Sequence, residues 1–561
     1  MKSKSLFIEV CITIIVCLIP NLYSFAQAPD WAWAKNFGGD YTEMGRSVTV
    51  DLAGNIYVAG MFGSDSVTFG STTLINPGIV SKDFNILITK LNDNGSVLWA
   101  KSAGGDKYID PTSITTDNFG NVYVVGSFNG DTITFGSFEL TKKDTGNYDY
   151  NYDMFIAKYD AVGTLIWAKS VGGNGGDNAN TIIADAFGNI YIVGSFYSNS
   201  IIFDSDTLTH SGMFVVKYDS DGNTLWAKNA NGSTSVGAVS IAINPVNNNV
   251  CVVGGFSDSI SLDSFQLISN GYSDMFIAEY DTSGNVIWAK NAGGYNDDGA
   301  ISIAIDNIGF SYVLGSFNSS VILFGGYNLM NTSPPTRDLF VAKYDTLGNV
   351  LWAKNAEGVG TEFPCSISID TSGNTYITGY YTSPLTFGTT TLPYLDYADI
   401  FLAKYNSDGN VLWAKSVNTN IDERSYSIAV NTSGNVYITG FFSSNSISFD
   451  SNILYINGTS GSSDMFLAKL DAIADIEDIK NTNSFTLYPN PANDNIIIEN
   501  TTFKINDDEI ISIYNIQGQL LLQQPIKQQK TEINISSFAG GMYYVKVENE
   551  KGIAVKKFIK D

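Results

Sequence analysis

Side chains that can attack, shuttle protons or hold a metal are scarce in this chain of 561 residues. It has one histidine, His210, and four cysteines, of which Cys11 and Cys17 fall within the first 26 residues. Ser-His-Asp or Cys-His catalysis would have to run through His210, and no positioned serine or cysteine accompanies it. A zinc site of the usual kind needs several His or Cys. Cys251 and Cys365 are far apart in the chain and read as small buried apolar side chains rather than a disulfide. No catalytic residue and no metal ligand is assigned.

Carboxylates are the exception. Asp and Glu number 56 against 31 Lys and Arg, a net charge of −25. Residues 1–26 carry a net +1 and residues 484–561 a net −1, so the whole excess lies between them. Such a surface repels nucleic acid and anionic lipid and favours cations or basic partners; no nucleic-acid partner is expected. A glycosidase needs only two acids at a set separation, so carboxylate chemistry on glycans stays open as the alternative to binding. Asp219-Ser-Asp221-Gly-Asn223 lacks the later bidentate Glu of a calcium loop and reads as a turn. Gly172–Gly176 has no strand-then-helix context and is not a phosphate loop.

The elements that position these residues repeat. Trp-Ala-Lys recurs at Trp33, Trp99, Trp167, Trp226, Trp288, Trp352 and Trp413. Asp-x-x-Gly-Asn-x-Tyr opens at Asp51, Asp117, Asp185, Asp306 (with Phe310 for the Asn) and Asp370, with Asn431 standing for Asp in a sixth copy. The remaining copy is Asn244-Pro-Val-Asn247-Asn248, where Asn247 takes the glycine's place. A third phrase, like Asp-Met-Phe-Ile-Ala-Lys-Tyr, centres on Phe155, Phe214, Phe276, Phe340, Phe401 and Phe466, with a looser copy near Ile86. Each repeat reads as four strands, a to d, with a–b and c–d joined by turns that place Asp first and Gly fourth. Strand c is apolar on both faces and so belongs in a sheet stacked between two others. The series opens with a lone d strand, Trp31–Lys35, and closes with a lone c strand, Asp464–Leu470. If the first completes the last, no edge is left exposed. The tryptophans, one per repeat, read as packing between repeats rather than sugar platforms.

Tight turns occupy one end of each sheet, and the long d→a and b→c connections occupy the other, where binding usually sits. That end gathers Asp40, Glu43, Asp106, Asp110, Asp177, Asp297, Asp298, Asp422 and Glu423, and a tyrosine-rich insertion with Tyr148, Tyr150 and Tyr152. Tyr148, Tyr150, Asp297 and Asp298 are the candidate ligand-binding residues, for a glycan, a basic peptide or calcium. No cofactor is required, and calcium is the one ion this rim could take.

Lys2 and Lys4, the apolar run Cys11–Ile19 and Ser24-Phe25-Ala26 predict a signal peptide over 1–26, cut before Gln27. No later run approaches the ~20 apolar residues that span a bilayer, so no transmembrane segment is expected after it.

The repeats, such as Gly409-Asn-Val-Leu-Trp-Ala-Lys415, resemble the seven-bladed propeller repeats of exported bacterial proteins, a family without a single activity. Residues 484–561 resemble the type A sorting domain of type IX secretion in Bacteroidetes, through Tyr488-Pro-Asn-Pro491, Tyr514-Asn-Ile-Gln-Gly518, Gly541-Met-Tyr-Tyr-Val545 and the basic end with Lys556, Lys557 and Lys560. That resemblance implies the secretion machinery as a partner and an extracellular or outer-membrane surface location. The expected architecture is all-β: a seven-bladed β-propeller over 27–471 closed by its N-terminal strand, a linker over 472–483, and a small Ig-like β-sandwich over 484–561. The expected role is non-enzymatic binding or adhesion to glycan or protein. A glycan-active enzyme or a purely structural surface protein is the alternative.

Overall fold

A computed structural model describes residues 28–76, 84–105, 107–143, 151–232, 235–419, 421–458, 461–472, 485–500, 510–515, 520–526, 528–549 and 552–560. The signal peptide, Asp106, Tyr148 and Tyr150 lie outside the described residues. Every named element is a strand, and no helix occurs among the described residues. None is therefore long and apolar enough to cross a membrane. The chain divides into two compact units with the boundary after Ala472.

The first unit contains seven antiparallel runs of four strands in the order a-b-c-d. In the second these are Ile109–Thr116, Val122–Phe128, Asp153–Tyr159 and Leu165–Val171. Strand a thus begins four residues before Ser113–Asp117, the segment expected from sequence. Six runs are consecutive in the chain. The seventh takes Glu423–Val430, Val436–Phe442 and Asp464–Leu470, then borrows Trp31–Phe37 from the other end, with Trp33 opposite Lys469 and Phe37 opposite Met465. All seven residues of every c strand are buried, as a strand covered on both faces requires.

Neighbouring sheets are tied together by repeated bonds. The backbone N–H of Ile114 donates to Ser47 Oγ of the sheet before it (3.2 Å), and that of Ile367 donates likewise to Ser302 (3.3 Å). The equivalent bond from Val48 N–H to Ser427 Oγ, 3.0 Å, joins the first sheet to the seventh. Apolar clusters straddle the same junctions. One packs Val48, Val58 and Leu87 of the first sheet against Tyr437, Met465 and Leu467 of the seventh. Five of the repeat tryptophans turn an edge to a tyrosine of strand b, as Trp99 does to Tyr57 at 6.3 Å. The indole N–H of five of the seven donates across the junction, as Trp99 does to the carbonyl of Ala161 and Trp352 to that of Ser407. The strand-c lysine lies over the same tyrosine, Lys90 over Tyr57 and Lys343 over Tyr312. The tryptophans are packing residues, as expected.

The fourth repeat departs from this pattern as a unit. Cys251 replaces the tyrosine and Glu279 the lysine, and Trp288 Nε1 donates to Glu279 Oε2 at 2.5 Å. Its a–b turn is one residue longer, closed by Asn248 N–H donating to Asn244 O, and Asn248 rather than Asn247 takes the positive φ of 59°. Asn tolerates that region better than most residues.

The b→c connections are not free loops. Each carries a two-stranded hairpin, for example Ser66–Phe69 with Thr72–Ile75 and Ser446–Phe449 with Asn452–Tyr455. The turn residue has positive φ in all seven: Gly70, Gly136, Asp204, Asp263, Gly325, Gly388 and Asp450. Gly and Asp are the types that accept it. The hairpins sit against the outer d strands; Val286 N–H donates to Asp263 and Trp31 N–H to Asp450.

The second unit has a three-stranded sheet, Phe485–Tyr488, Asn495–Asn500 and Lys530–Asn534, and a four-stranded one, Leu520–Pro525, Ile510–Asn515, Gly541–Asn549 and Gly552–Lys560. Ile496, Ile498 and Ile533 of the first pack with Ile511, Ile513, Val545 and Phe558 of the second.

Candidate ligand site at the loop end

Strand a ends each run of four, and in every repeat its pairing with b shifts register at one residue. The seven residues skipped are Arg46, Thr112, Asn180, Val239, Ile301, Cys365 and Tyr426. A bulge of this kind re-aims a side chain. Two of the seven, with residues beside them, form one cluster.

Arg46 makes a bidentate pair with Asp110 of the next sheet, Nε to Oδ1 at 3.0 Å and Nη2 to Oδ2 at 2.8 Å. Its guanidinium stands 5.1 Å from the Tyr426 ring of the sheet before it. Arg424 pairs with Asp422 through the same two atoms, both at 2.8 Å, and lies 4.8 Å from Tyr380 and 5.8 Å from Phe441. Phe363 stacks on Tyr380 at 4.6 Å and 11°, and Arg337 lies 5.6 Å from Phe363. These are the only three arginines in the chain. All three stand against the same aromatic sector. Burial opposes the charge on Arg46 and Arg424, yet Asp110 and Asp422 hold both guanidiniums above their ordinary value. In the fourth and fifth repeats the matching positions are Gly237, Val239, Gly299 and Ile301.

The cluster is half-exposed at Arg46, Phe363, Tyr380, Arg424 and Tyr426. Each aspartate neutralises its arginine, so the sector offers flat apolar faces fringed by fixed donors and acceptors. A hollow of about 360 Å³ lies at the same loop end, lined by Asn418, Thr419, Ile421, Ser444 and Ser446. That is the lower end of ligand-pocket sizes, roughly 300–1,000 Å³.

The other acids of the rim do different things. Asp297 is exposed and bridges to Ser273, beside an exposed edge-to-face pair, Tyr272 and Tyr295, 5.8 Å apart. Asp298 is sealed, only 2 % exposed. It accepts from Gly294 N–H at 2.6 Å and from Ser319 Oγ at 2.7 Å. Burial pushes its carboxyl up to about 6. Asp298 is one of a series: Glu43, Asp177, Asp298, Glu362 and Glu423 open their a strands, all buried. Each faces a buried aspartate that opens the c strand of the preceding sheet: Asp464, Asp153, Asp274, Asp338 and Asp399.

His210 is an exposed loop residue beside Thr209. Asp219 caps its own turn, accepting from Asp221 N–H and Asn223 N–H. Cys251 is buried and Cys365 half-buried, both as free thiols.

The arginine–aromatic sector was missed from sequence. Its signal was rarity: three arginines beside 28 lysines, two of them on a strands. The buried pairs were missed because their members lie one repeat apart.

Residues 486–561 match the family described as secretion system C-terminal sorting domain, and residues 98–131 match the family described as beta-propeller repeat. An uncharacterized WD repeat-containing protein of Acanthamoeba polyphaga mimivirus is 24% identical over 447 residues, covering 63% of this chain and 32% of its own length. A regulatory protein, FlaEY, of Caulobacter vibrioides is 26% identical over 141 residues, covering 25% of this chain and 15% of its own. The chain therefore spans a third or less of these curated relatives. Among solved structures, PorZ, a surface component of the type IX secretion system of Porphyromonas gingivalis, aligns over 94% of this chain and 100% of its own at 12% identity, with a TM-score of 0.22. The chain joins β-propeller repeats to a C-terminal sorting domain of type IX secretion, the address of a protein exported to the cell surface or beyond.

Proposed function

We propose that residues 27–471 form a closed seven-bladed propeller that binds glycan without turning it over, and that residues 484–561 form an Ig-like sandwich read by the secretion machinery. Closure is supported by the pairing of Trp31–Phe37 with Asp464–Leu470 and by the Val48–Ser427 bond. The two-sheet core of the second unit supports the sandwich.

The observation that carries the binding reading is the sector of Arg46, Arg424, Phe363, Tyr380 and Tyr426. A sugar ring presents an apolar face to an aromatic ring and hydroxyls to bidentate Arg–Asp pairs, which both donate and accept. The carboxylates that the fold sets side by side at the junctions are sealed between sheets, out of reach of a sugar, and this favours binding over turnover. Arrays of glycans and of matrix proteins, probed with the full chain in chelator, test it. Selective retention on glycans is the expected result. Retention on proteins alone would replace glycan with a protein ligand, and silence on both would overturn the reading.

A further inference from the structure

The buried acid pairs occupy five of the seven junctions between sheets, and their members come and go together. At each of the five, the acid opening strand a is followed 21 residues later by a serine: Ser64, Ser198, Ser319, Ser383 and Ser444. The other two junctions carry Asn85, Ile109 and Gly130, or Gly212, Val236 and, 22 residues on because its turn is one residue longer, Asp258, in the same places. Neither acid is kept where the other is lost. The backbone holds each pair side by side, because the N–H of the strand-a acid donates to the carbonyl just before its partner. Glu43 donates to Ser463, Asp177 to Tyr152, Asp298 to Ser273, Glu362 to Arg337 and Glu423 to Ala398.

At three junctions the strand-a acid is satisfied by N–H and hydroxyl donors: Glu43 by Gly39 and Ser64, Asp177 by Gly173 and Ser198, Asp298 by Gly294 and Ser319. The remaining two differ. Both oxygens of Asp338, of Glu362 and of Glu423 are buried with no donor in hydrogen-bond geometry, though Thr332 N–H approaches Asp338 and the Thr419 and Ser444 side chains approach Glu423. Oδ1 of Asp399 is bare like that of Asp153, Asp274 and Asp464, while its Oδ2 accepts from Leu395 N–H and Asn418. All four side chains are fully enclosed, at 0 % exposure. Neither Asp338 nor Glu362 joins any ion pair among the described residues. The cation next to Asp338 in sequence, Arg337, is held over the Phe363 ring. Gly358 brings bare backbone against Glu362; a Cβ there would lie 2.4 Å from Oε1.

An enclosed, unpaired carboxylate is strongly unfavourable, and two together more so. One shared proton would bridge one oxygen of each acid and leave the other two bare. A hard divalent cation takes six to eight oxygens and engages all four at once. No third Asp, Glu, His or Cys joins the pair among the described residues, so serine, backbone and water oxygens would complete the shell. We propose that the Asp338–Glu362 pair, and with it Asp399–Glu423, holds a divalent cation of the calcium class between adjacent sheets. This site is separate from the arginine–aromatic sector and stands whether or not that sector binds glycan.

The test is calcium titration of the chelator-treated full chain by calorimetry and by thermal melting, beside the double variant Glu362→Gln, Glu423→Gln. Calcium binds the parent with Kd of about 10⁻⁴–10⁻³ M, as in extracellular calcium modules, and magnesium binds more weakly because it demands a stricter geometry. The double variant loses the calcium-induced rise in melting temperature, yet in chelator it melts no lower than the parent, because the repulsion is gone. A parent with no heat and no melting shift at about 10 mM calcium, well above that range, would overturn the proposal. So would a double variant that binds calcium as the parent does.

Discussion

Aspartate does opposite work at the two ends of the same strands. At the turn end, Asp160, Asp219, Asp281 and Asp345 lie near the surface. Each accepts from two backbone N–H groups of its own turn. Burial works weakly against their charge, and these hydrogen bonds hold their carboxyls below the usual range. At the loop end, Asp338, Asp399, Asp464 and their partners are enclosed, and burial raises their carboxyls. The turn aspartates recur because every repeat needs the same hairpin. The junction acids are omitted at two junctions, and the arginines occur in one sector only. Uniformity builds the scaffold, and the departures from it mark where function can sit.

The comparison is broken most severely by removing the strand that joins the two termini of the first unit. Deleting residues 28–37 strips the seventh sheet of its outer strand and removes the buried Trp31 and Phe37. Each such side chain is worth about 3–5 kcal/mol. A fall in melting temperature of more than about 10 °C by circular dichroism is expected. Tyr123→Ala removes one fully buried ring of the repeated Tyr–Lys–Trp packing. It should cost about 3–5 kcal/mol in urea unfolding and leave ligand binding intact.

The two carboxylate populations separate on a pH axis. In metal-free protein, burial pushes Glu362 to about 9 and Asp338 to about 7, far above unfolded values near 4. Their contribution is complete below those unfolded values and is lost as pH rises through 7 and 9. The lowered turn aspartates contribute above about pH 4 and lose that contribution as pH falls. In chelator, Glu362→Gln should therefore flatten the alkaline fall in melting temperature and leave the acid limb unchanged. Asp160→Ala should do the reverse, at a cost of about 1 kcal/mol for its turn hydrogen bonds. Melting curves from pH 4 to 9 on both variants read this directly.

Much of the scaffold was legible because repetition amplifies local signals. The Trp-Ala-Lys and Asp-x-x-Gly phrases mark strands d and the a–b turns, and their offset at the two termini points to the Trp31–Phe37 pairing with Asp464–Leu470. The hairpins in the b→c connections were read as variable loop, although Phe69-Gly70, Phe203-Asp204 and Phe449-Asp450 share one turn chemistry. In the fourth repeat, Asn248 takes the left-handed position because the turn is one residue longer than its homologues. The candidate site was less legible. Asp297 stands on the rim, but Asp298 is enclosed against Ser319, and a run of two aspartates does not reveal which one faces inward. Nor does sequence show that bulges at Arg46 and Tyr426 bring the two together, because they lie in different repeats at opposite ends of the first unit's chain.

Binding at the arginine–aromatic sector is best tested by comparing Arg424→Ala, Tyr380→Ala and the turn-end control Asp160→Ala on the glycan array, with melting temperatures in parallel. The account predicts that Arg424→Ala and Tyr380→Ala each lose tenfold or more of the parent's glycan binding, equal to about 1.4 kcal/mol, while Asp160→Ala binds as the parent does. Equal binding by all three, with the fold intact, would contradict it.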